Sequence, residues 1–233
     1  MTLEAILFDL HGTLVHLENR VTEKEISELL SRKGYVVSPQ SLKAAWAFVA
    51  FVDYPKYGYG NWRAFLSRMF WRLKAKVDNE TLQSVVKLFE ANPYELYPDA
   101  SGAVAVAKQQ GFKTAIVTTI GRFQFEKAIA RIRENLDYVM TGYEAGCDKS
   151  NPEMYRKVLE ILKVKPEEAV MIGDELELDV LLPKSLGINA MLLDRERKHG
   201  GKLVDAFVYD LDEAVQAIIK ERENNQNPDR WKV

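Results

Sequence analysis

From Tyr97 onward the chain alternates short apolar runs with amphipathic stretches of helical period, and no other feature constrains its fold as strongly. A helix from Asp99 stops at Gly111, and residues 112–118 follow as an apolar β run. A helix after Gly121, a short strand over 138–141, a helix opened by Asn151-Pro152-Glu153 and a strand over 169–172 continue the pattern. A helix from about Leu176 to near Gly187, strands over 190–193 and 206–209, and a helix from Leu211 complete it. Parallel strands need crossovers, and the crossovers cover the sheet. The expected fold class is therefore α/β, a doubly wound parallel sheet with helices on both faces.

One more strand precedes this array. Residues 3–10 form an apolar run ending at Gly12, suited to a strand buried on both faces, with Asp9 near its carboxyl end. Between it and Tyr97 the periodicity is helical. Thr22 with Glu25 makes a capping box for a helix that stops at Gly34, and Ser38-Pro39 opens a second helix. Asn61 and Asp78 cap a third and a fourth. Residues 53–60, with one Pro and two Gly, read as a loop. The expected organisation is an α/β core of residues 1–17 and 93–233 with a helical insertion over 18–92. Hinges are expected near 16–19 and 91–96.

Composition narrows the class. The 32 basic and 34 acidic residues leave a net charge of −2, with no basic stripe, so no nucleic-acid partner is expected. The longest apolar run, 44–52, is far short of the roughly 20 residues that cross a membrane. Cys147 is the lone cysteine, and Met1-Thr2-Leu3-Glu4 places an acid where a secretory signal carries lysines; a cytoplasmic protein is expected.

Ligands of an open parallel sheet bind beyond the carboxyl ends of its strands. Those ends supply Asp9-Leu10-His11-Gly12-Thr13, then Thr118-Thr119, then Lys149 in the loop after the third strand, then Gly173-Asp174 with Asp179 five residues on. Three carboxylates against one lysine leave an excess of negative charge that is costly in a partly dry cleft. A divalent cation would neutralise it, and oxygen-only donors in an incomplete shell favour Mg²⁺.

In this order and spacing, Asp9-Leu10-His11-Gly12-Thr13-Leu14, Ile116-Val117-Thr118, Lys149 and Gly173-Asp174 with Asp179 resemble the haloacid dehalogenase-like hydrolase superfamily, over residues 3–15 and about 96–219. The helical insertion lies where that family carries its cap domain. The resemblance implies a Rossmann-like core and a magnesium-dependent phosphatase acting on a small-molecule phosphate ester, with Asp9 as nucleophile. It also implies that Asp9, the main-chain carbonyl of His11 and Asp174 hold the metal and that Asp179 orients the lysine or the metal's waters. Thr118 and Lys149 would hold the transferring oxygens, with Thr119 as a phosphate neighbour and Thr13 shaping the loop.

His11 departs from the family's phosphatases, which place a second Asp there as the acid and base of the reaction; an imidazole can perform both proton transfers near neutrality. The same departure opens the alternative of a metal-independent 2-haloacid dehalogenase, with which Tyr155 is also compatible and Asp174 is not. A further alternative is a member that binds a ligand without turnover. Blander readings stand beside these: Asp9 as a turn former, Asp179 and Thr119 as helix caps, Lys149 as a surface lysine. Most aromatic rings of the insertion are expected in its core, with Tyr54, Tyr57 and Tyr59 facing the cleft. His16 and His199 are expected in solvent, Cys147 inert, the tail after Glu221 fraying, and Trp231 docked on the body.

Overall fold

The computed structural model describes residues 2–197 and 207–226. His199, Ala206 and Trp231 lie outside them. In chain order the strands and helices are β1 (Ala5–Phe8), β2 (Val15–Leu17), α1 (Glu23–Arg32), α2 (Pro39–Phe48), α3 (Tyr54–Tyr57), α4 (Trp62–Arg72), α5 (Asn79–Glu90) and β3 (Tyr94–Leu96). There follow α6 (Ala100–Gln109), β4 (Lys113–Val117), α7 (Arg122–Phe125), β5 (Tyr138–Met140), α8 (Gly142–Ala145), α9 (Pro152–Leu162) and β6 (Ala169–Gly173). The series closes with α10 (Leu182–Ser185), β7 (Asn189–Leu193), β8 (Phe207–Val208) and α11 (Leu211–Gln226).

Among the described residues six strands form one parallel sheet in the order β5-β4-β1-β6-β7-β8. Its central strand β1 is wholly buried and works both faces with period two. Ile6 and Phe8 pack with Ala103 and Val104 of α6 and Ile218 of α11, whereas Ala5 and Leu7 pack with Met154 and Val158 of α9. The chain builds outward from β1 through β4 to β5, then returns to build β6, β7 and β8 on the other side. The sheet thus reverses direction between β1 and β6, and a crevice opens at their carboxyl ends.

The caps expected for the insertion are in place. Thr22 and Glu25 form their reciprocal box, and Ser38, Asn61 and Asp78 each accept an amide of the following turn. Helices α1, α2, α4 and α5 share a separate apolar cluster that includes Leu30, Leu42, Phe65, Met69 and Val85. One expectation about the insertion needs correction. Residues 53–60 are not all loop: α2 continues without a break through a wide helical turn over Val49–Asp53 into α3, with Pro55 just past the wide turn, where the hydrogen-bond register is already altered, and Gly58 ends the helix at φ +62°. The two segments expected as hinges pair as an antiparallel ribbon, with Val15 opposite Leu96 and Leu17 opposite Tyr94. No helix among the described residues is long and apolar enough to cross a membrane.

Candidate active site

Asp9 follows β1 directly. Its amide donates to the Ile172 carbonyl at 2.8 Å, extending the β1–β6 pairing by one residue and fixing the carboxylate over the crevice. The chain then turns tightly, with the Gly12 amide donating to Val15 and those of Leu14 and Val15 to Leu10, each at 2.8 Å. Gly12 holds φ at +84°, and a Cβ there would lie 2.2 Å from Asp174 Oδ2. Gly173 at the end of β6 is constrained likewise, since its Cβ would meet the Asp179 carboxyl carbon at 2.2 Å. The glycines let the acids approach. Gly12→Ala is expected to lower the melting temperature by about 5 °C, through left-handed strain and displacement of Asp174, and to cut activity with it. Unchanged melting and activity would contradict this close approach.

Lys149, in the loop before α9, is the cation among these acids. Its ammonium donates to Asp9 Oδ1 and pairs with Asp179 Oδ1 at 2.5 Å, while its amide donates to the Thr119 hydroxyl at 3.0 Å. Asp9, Lys149 and Asp179 are all buried. Asp179 comes from the wide helical turn Leu176–Leu181 and is locked by the Glu175 amide, which donates to its Oδ2 at 3.0 Å. One carboxylate oxygen from each of Asp9, Asp174 and Asp179 lies within 4.8 Å of the others. The Asp174 Oδ1 atom is buried without a hydrogen-bond partner.

The electrostatics follow from that packing. Burial raises Asp9 above the ordinary carboxylate range, with Lys149 opposing and Asp174 adding to the rise. Burial first, then the neighbouring Asp179, pushes Asp174 up to about 6. Asp179 is pushed up to about 6 as well, by burial that Lys149 opposes. Burial alone would discharge Lys149, but Asp179 and Asp9 outweigh it and hold the ammonium above the ordinary lysine range. The cluster carries more negative charge than its one lysine answers. Buried, closely spaced oxygen donors with one oxygen unpaired suit a hard divalent cation.

The other residues singled out in the sequence divide. Thr118 is buried, and its hydroxyl accepts from the Ile120 amide at 3.2 Å; Thr119 positions the Lys149 main chain and does not cap a helix. Thr13 is buried with its hydroxyl unpartnered. His11 is exposed, its ring edge-on to Tyr94 at 5.7 Å; partial desolvation and then Arg20 hold its imidazole below the ordinary 6.5. Tyr155 is buried, and its hydroxyl donates to the Leu178 carbonyl at 2.5 Å. His16 is half-buried, its ring 4.7 Å from that of Tyr97, so it is not in solvent. Of the three tyrosines expected to face the cleft, Tyr54 lines the cavity beside it, whereas Tyr57 turns to solvent under Arg68 and Tyr59 packs edge-on to Phe65 in the insertion's apolar cluster. Cys147 is half-buried, and burial raises its thiol above the ordinary value, consistent with an inert side chain.

A brace that the sequence did not reveal stands behind the loop that follows Asp9. Arg195, just past β7, grips both carboxylate oxygens of Asp99 at 2.9 Å and donates to the Thr13 carbonyl at 2.8 Å, with its guanidinium 4.0 Å above the Tyr97 ring. Asp99 also accepts the Leu211 amide at 2.9 Å. Arg195 also lies just past the carboxyl end of a strand, as Asp9 and Asp174 do, whereas Asp99 stands at a helix start, where a carboxylate ordinarily caps.

A family model for haloacid dehalogenase-like hydrolases matches residues 3–187, which include Asp9, Lys149, Asp174 and Asp179. The chain belongs to the haloacid dehalogenase-like hydrolases. Haloacid dehalogenase-like hydrolase domain-containing protein 3 of Xenopus laevis is 26% identical over 211 residues, 83% of this chain and 85% of that protein. A glyceraldehyde 3-phosphate phosphatase of Pyrococcus furiosus is 24% identical over 240 residues, 97% of this chain and 96% of its own. Among solved structures, a 2-haloacid dehalogenase of Pseudomonas syringae shares the fold with a TM-score of 0.68 at 15% identity, covering 94% of this chain and 99% of its own. This haloacid dehalogenase-like hydrolase thus has phosphatase-named relatives in sequence, and in fold it also resembles dehalogenases.

Proposed function

We propose that this hydrolase is a magnesium-dependent phosphatase that cleaves a small-molecule phosphate monoester through a phosphorylated Asp9. The carrying observation is the buried, unpartnered Asp174 oxygen beside Asp9 and Asp179, a surplus of negative charge that a divalent cation would relieve. Asp9, Asp174 and the His11 carbonyl would hold Mg²⁺, with Asp179 behind. When bound it neutralises charge on the phosphate and polarises a phosphoryl oxygen.

The chain's own residues do the rest. The Asp9 carboxylate attacks phosphorus, the bond to the ester oxygen breaks with its electron pair on that oxygen, and the phosphoryl group stays on Asp9 as an acyl phosphate. Water then attacks phosphorus, releasing inorganic phosphate and the free carboxylate. Lys149, its charge held by Asp179, stabilises the transferring oxygens together with Thr118, while Thr119 fixes the lysine's main chain. Thr13 belongs to this site through the loop it ends, braced at its carbonyl by Arg195. His11 protonates the departing oxygen and deprotonates the water. The ring must start protonated and becomes neutral on giving its proton to the departing oxygen; its lowered pKa favours that donation.

Residues 18–92 act in this reading as a cap over a core of 1–17 and 93–233, supported by the separate apolar cluster of the helices and by the ribbon through which the chain leaves and re-enters. A cytoplasmic location accords with the lone cysteine. His11 in place of a second acid favours a metal-independent 2-haloacid dehalogenase; Asp174 opposes it, since a further carboxylate would repel a carboxylate substrate. An aryl phosphate and a 2-chloroacid, each assayed with magnesium and with chelator, separate the readings. Magnesium-dependent phosphate release is expected. Metal-independent chloride release would establish the dehalogenase, and silence throughout would indicate a ligand-binding protein.

A further inference from the structure

Beside the acid cluster lies a cavity of about 730 Å³, between the helices of the insertion and the carboxyl edge of the sheet. His11 and Thr119 are among the residues that line it. His11 is two residues from Asp9, and Thr119 accepts the amide of Lys149, so a phosphate placed on Asp9 would project its ester group into this space. The walls are aromatic. The Trp62 ring stacks on Phe89 at 4.5 Å and 25°, Trp46 lies against both Phe89 at 5.3 Å and 20° and Trp62 at 5.9 Å and 34°, and Phe123 stands edge-on to Trp62 at 5.2 Å. Rings packed on one another leave their remaining faces and edges as one apolar wall of the cavity, against which a flat ring can lie.

The charges of the lining cancel. Arg20 and Lys127 are matched by Glu23 and Glu90, and Arg20 already lies 3.5 Å from Glu23. A leaving group with a second phosphate or a carboxylate would find no surplus cation there. The volume falls in the range that encloses a drug-sized ligand, and a glycerol-sized group would leave most of the aromatic wall uncovered.

Resting on the phosphatase reading above, we infer that the ester's leaving group is neutral and carries a flat ring system, as an arylalkyl alcohol or a nucleoside does. The test compares kcat/KM for 2-(1-naphthyl)ethyl phosphate and a nucleoside 5′-monophosphate with that for ethyl phosphate and glycerol phosphate. All are esters of alkyl alcohols, so chemistry alone does not favour the rings. At least one ring ester is expected to exceed the short esters by about 30-fold, mainly through KM. A preference for the naphthyl ester identifies an arylalkyl substrate, and one for the nucleotide a nucleoside. Trp62→Ala, which removes a wall, and Ala50→Phe, which fills the space, should each shrink the ratio to a few-fold. Short esters turned over as well as ring esters would overturn the inference and leave the phosphatase reading intact. If no ester is hydrolysed, the phosphatase reading fails, and calorimetric titration with 2-(1-naphthyl)ethanol decides the cavity's preference: saturable binding weakened by Trp62→Ala upholds it, and no binding overturns it.

Discussion

Asp9→Asn is expected to lower phosphate release by about 10⁴-fold or more while leaving a folded protein. The amide is nearly isosteric with the carboxylate, and the main-chain bond to Ile172 is untouched. It cannot form an acyl phosphate, however, so the reaction loses its covalent step. The change also removes one of three crowded negative charges, so the melting temperature should hold or rise. His11→Ala is expected to behave differently: about 10²-fold slower on an alkyl phosphate, and far less affected on p-nitrophenyl phosphate, whose leaving group departs without a proton. Steady-state kinetics on the two substrates check both. Equal residual activity of wild type and Asp9→Asn would place any hydrolysis elsewhere, and full turnover of the alkyl ester by His11→Ala would remove the imidazole from the mechanism.

Lys149→Met should be the most destabilising of the conservative-volume changes at the site. It leaves Asp9 and Asp179 buried without their cation, a loss of about 3–5 kcal/mol for breaking one side of a buried pair, or about 10 °C in melting temperature for a chain of this size. The penalty arises from the stranded carboxylates rather than from the missing bond. Asp179→Asn added to Lys149→Met should therefore recover part of the loss, even though it removes another polar contact. Thermal melts of the four proteins in chelator at pH 8 form the double-mutant cycle. Additive destabilisation with no recovery would mean that the lysine and Asp179 are not coupled.

Much of this architecture was legible because independent local signals agreed. The apolar run of residues 3–10 suited a strand buried on both faces, and the four long helices of the insertion carried their own caps, Thr22, Ser38, Asn61 and Asp78. Asp9, Lys149, Asp174 and Asp179 could be grouped from sequence because a parallel sheet delivers all its strand ends to one edge, whatever the distance along the chain. Features that depend on side-chain direction were not legible. Asp99 stands at a helix start, where a carboxylate ordinarily caps, yet it serves Arg195. The ribbon of Val15–Leu17 with Tyr94–Leu96 has strands too short to show alternation, and pairing partners far apart leave no local trace. The helix at Tyr54–Tyr57 was hidden by Pro55, which ordinarily breaks a helix but here follows a wide turn that alters the hydrogen-bond register. The aromatic cavity depends on how the insertion seats over the sheet, which residue periodicity does not encode.

The claim that Asp9 carries the phosphoryl group, with a cation offsetting the acids around it, is tested most directly by trapping. The protein is mixed with a ³²P-labelled phosphate ester, quenched in acid within a turnover, and digested to locate the label. Label on Asp9 that survives acid, is released by hydroxylamine as an acyl phosphate must be, and forms with magnesium but not with chelator is the predicted result. Label on another residue, or rapid phosphate release with no label on Asp9 at any quench time, would contradict it.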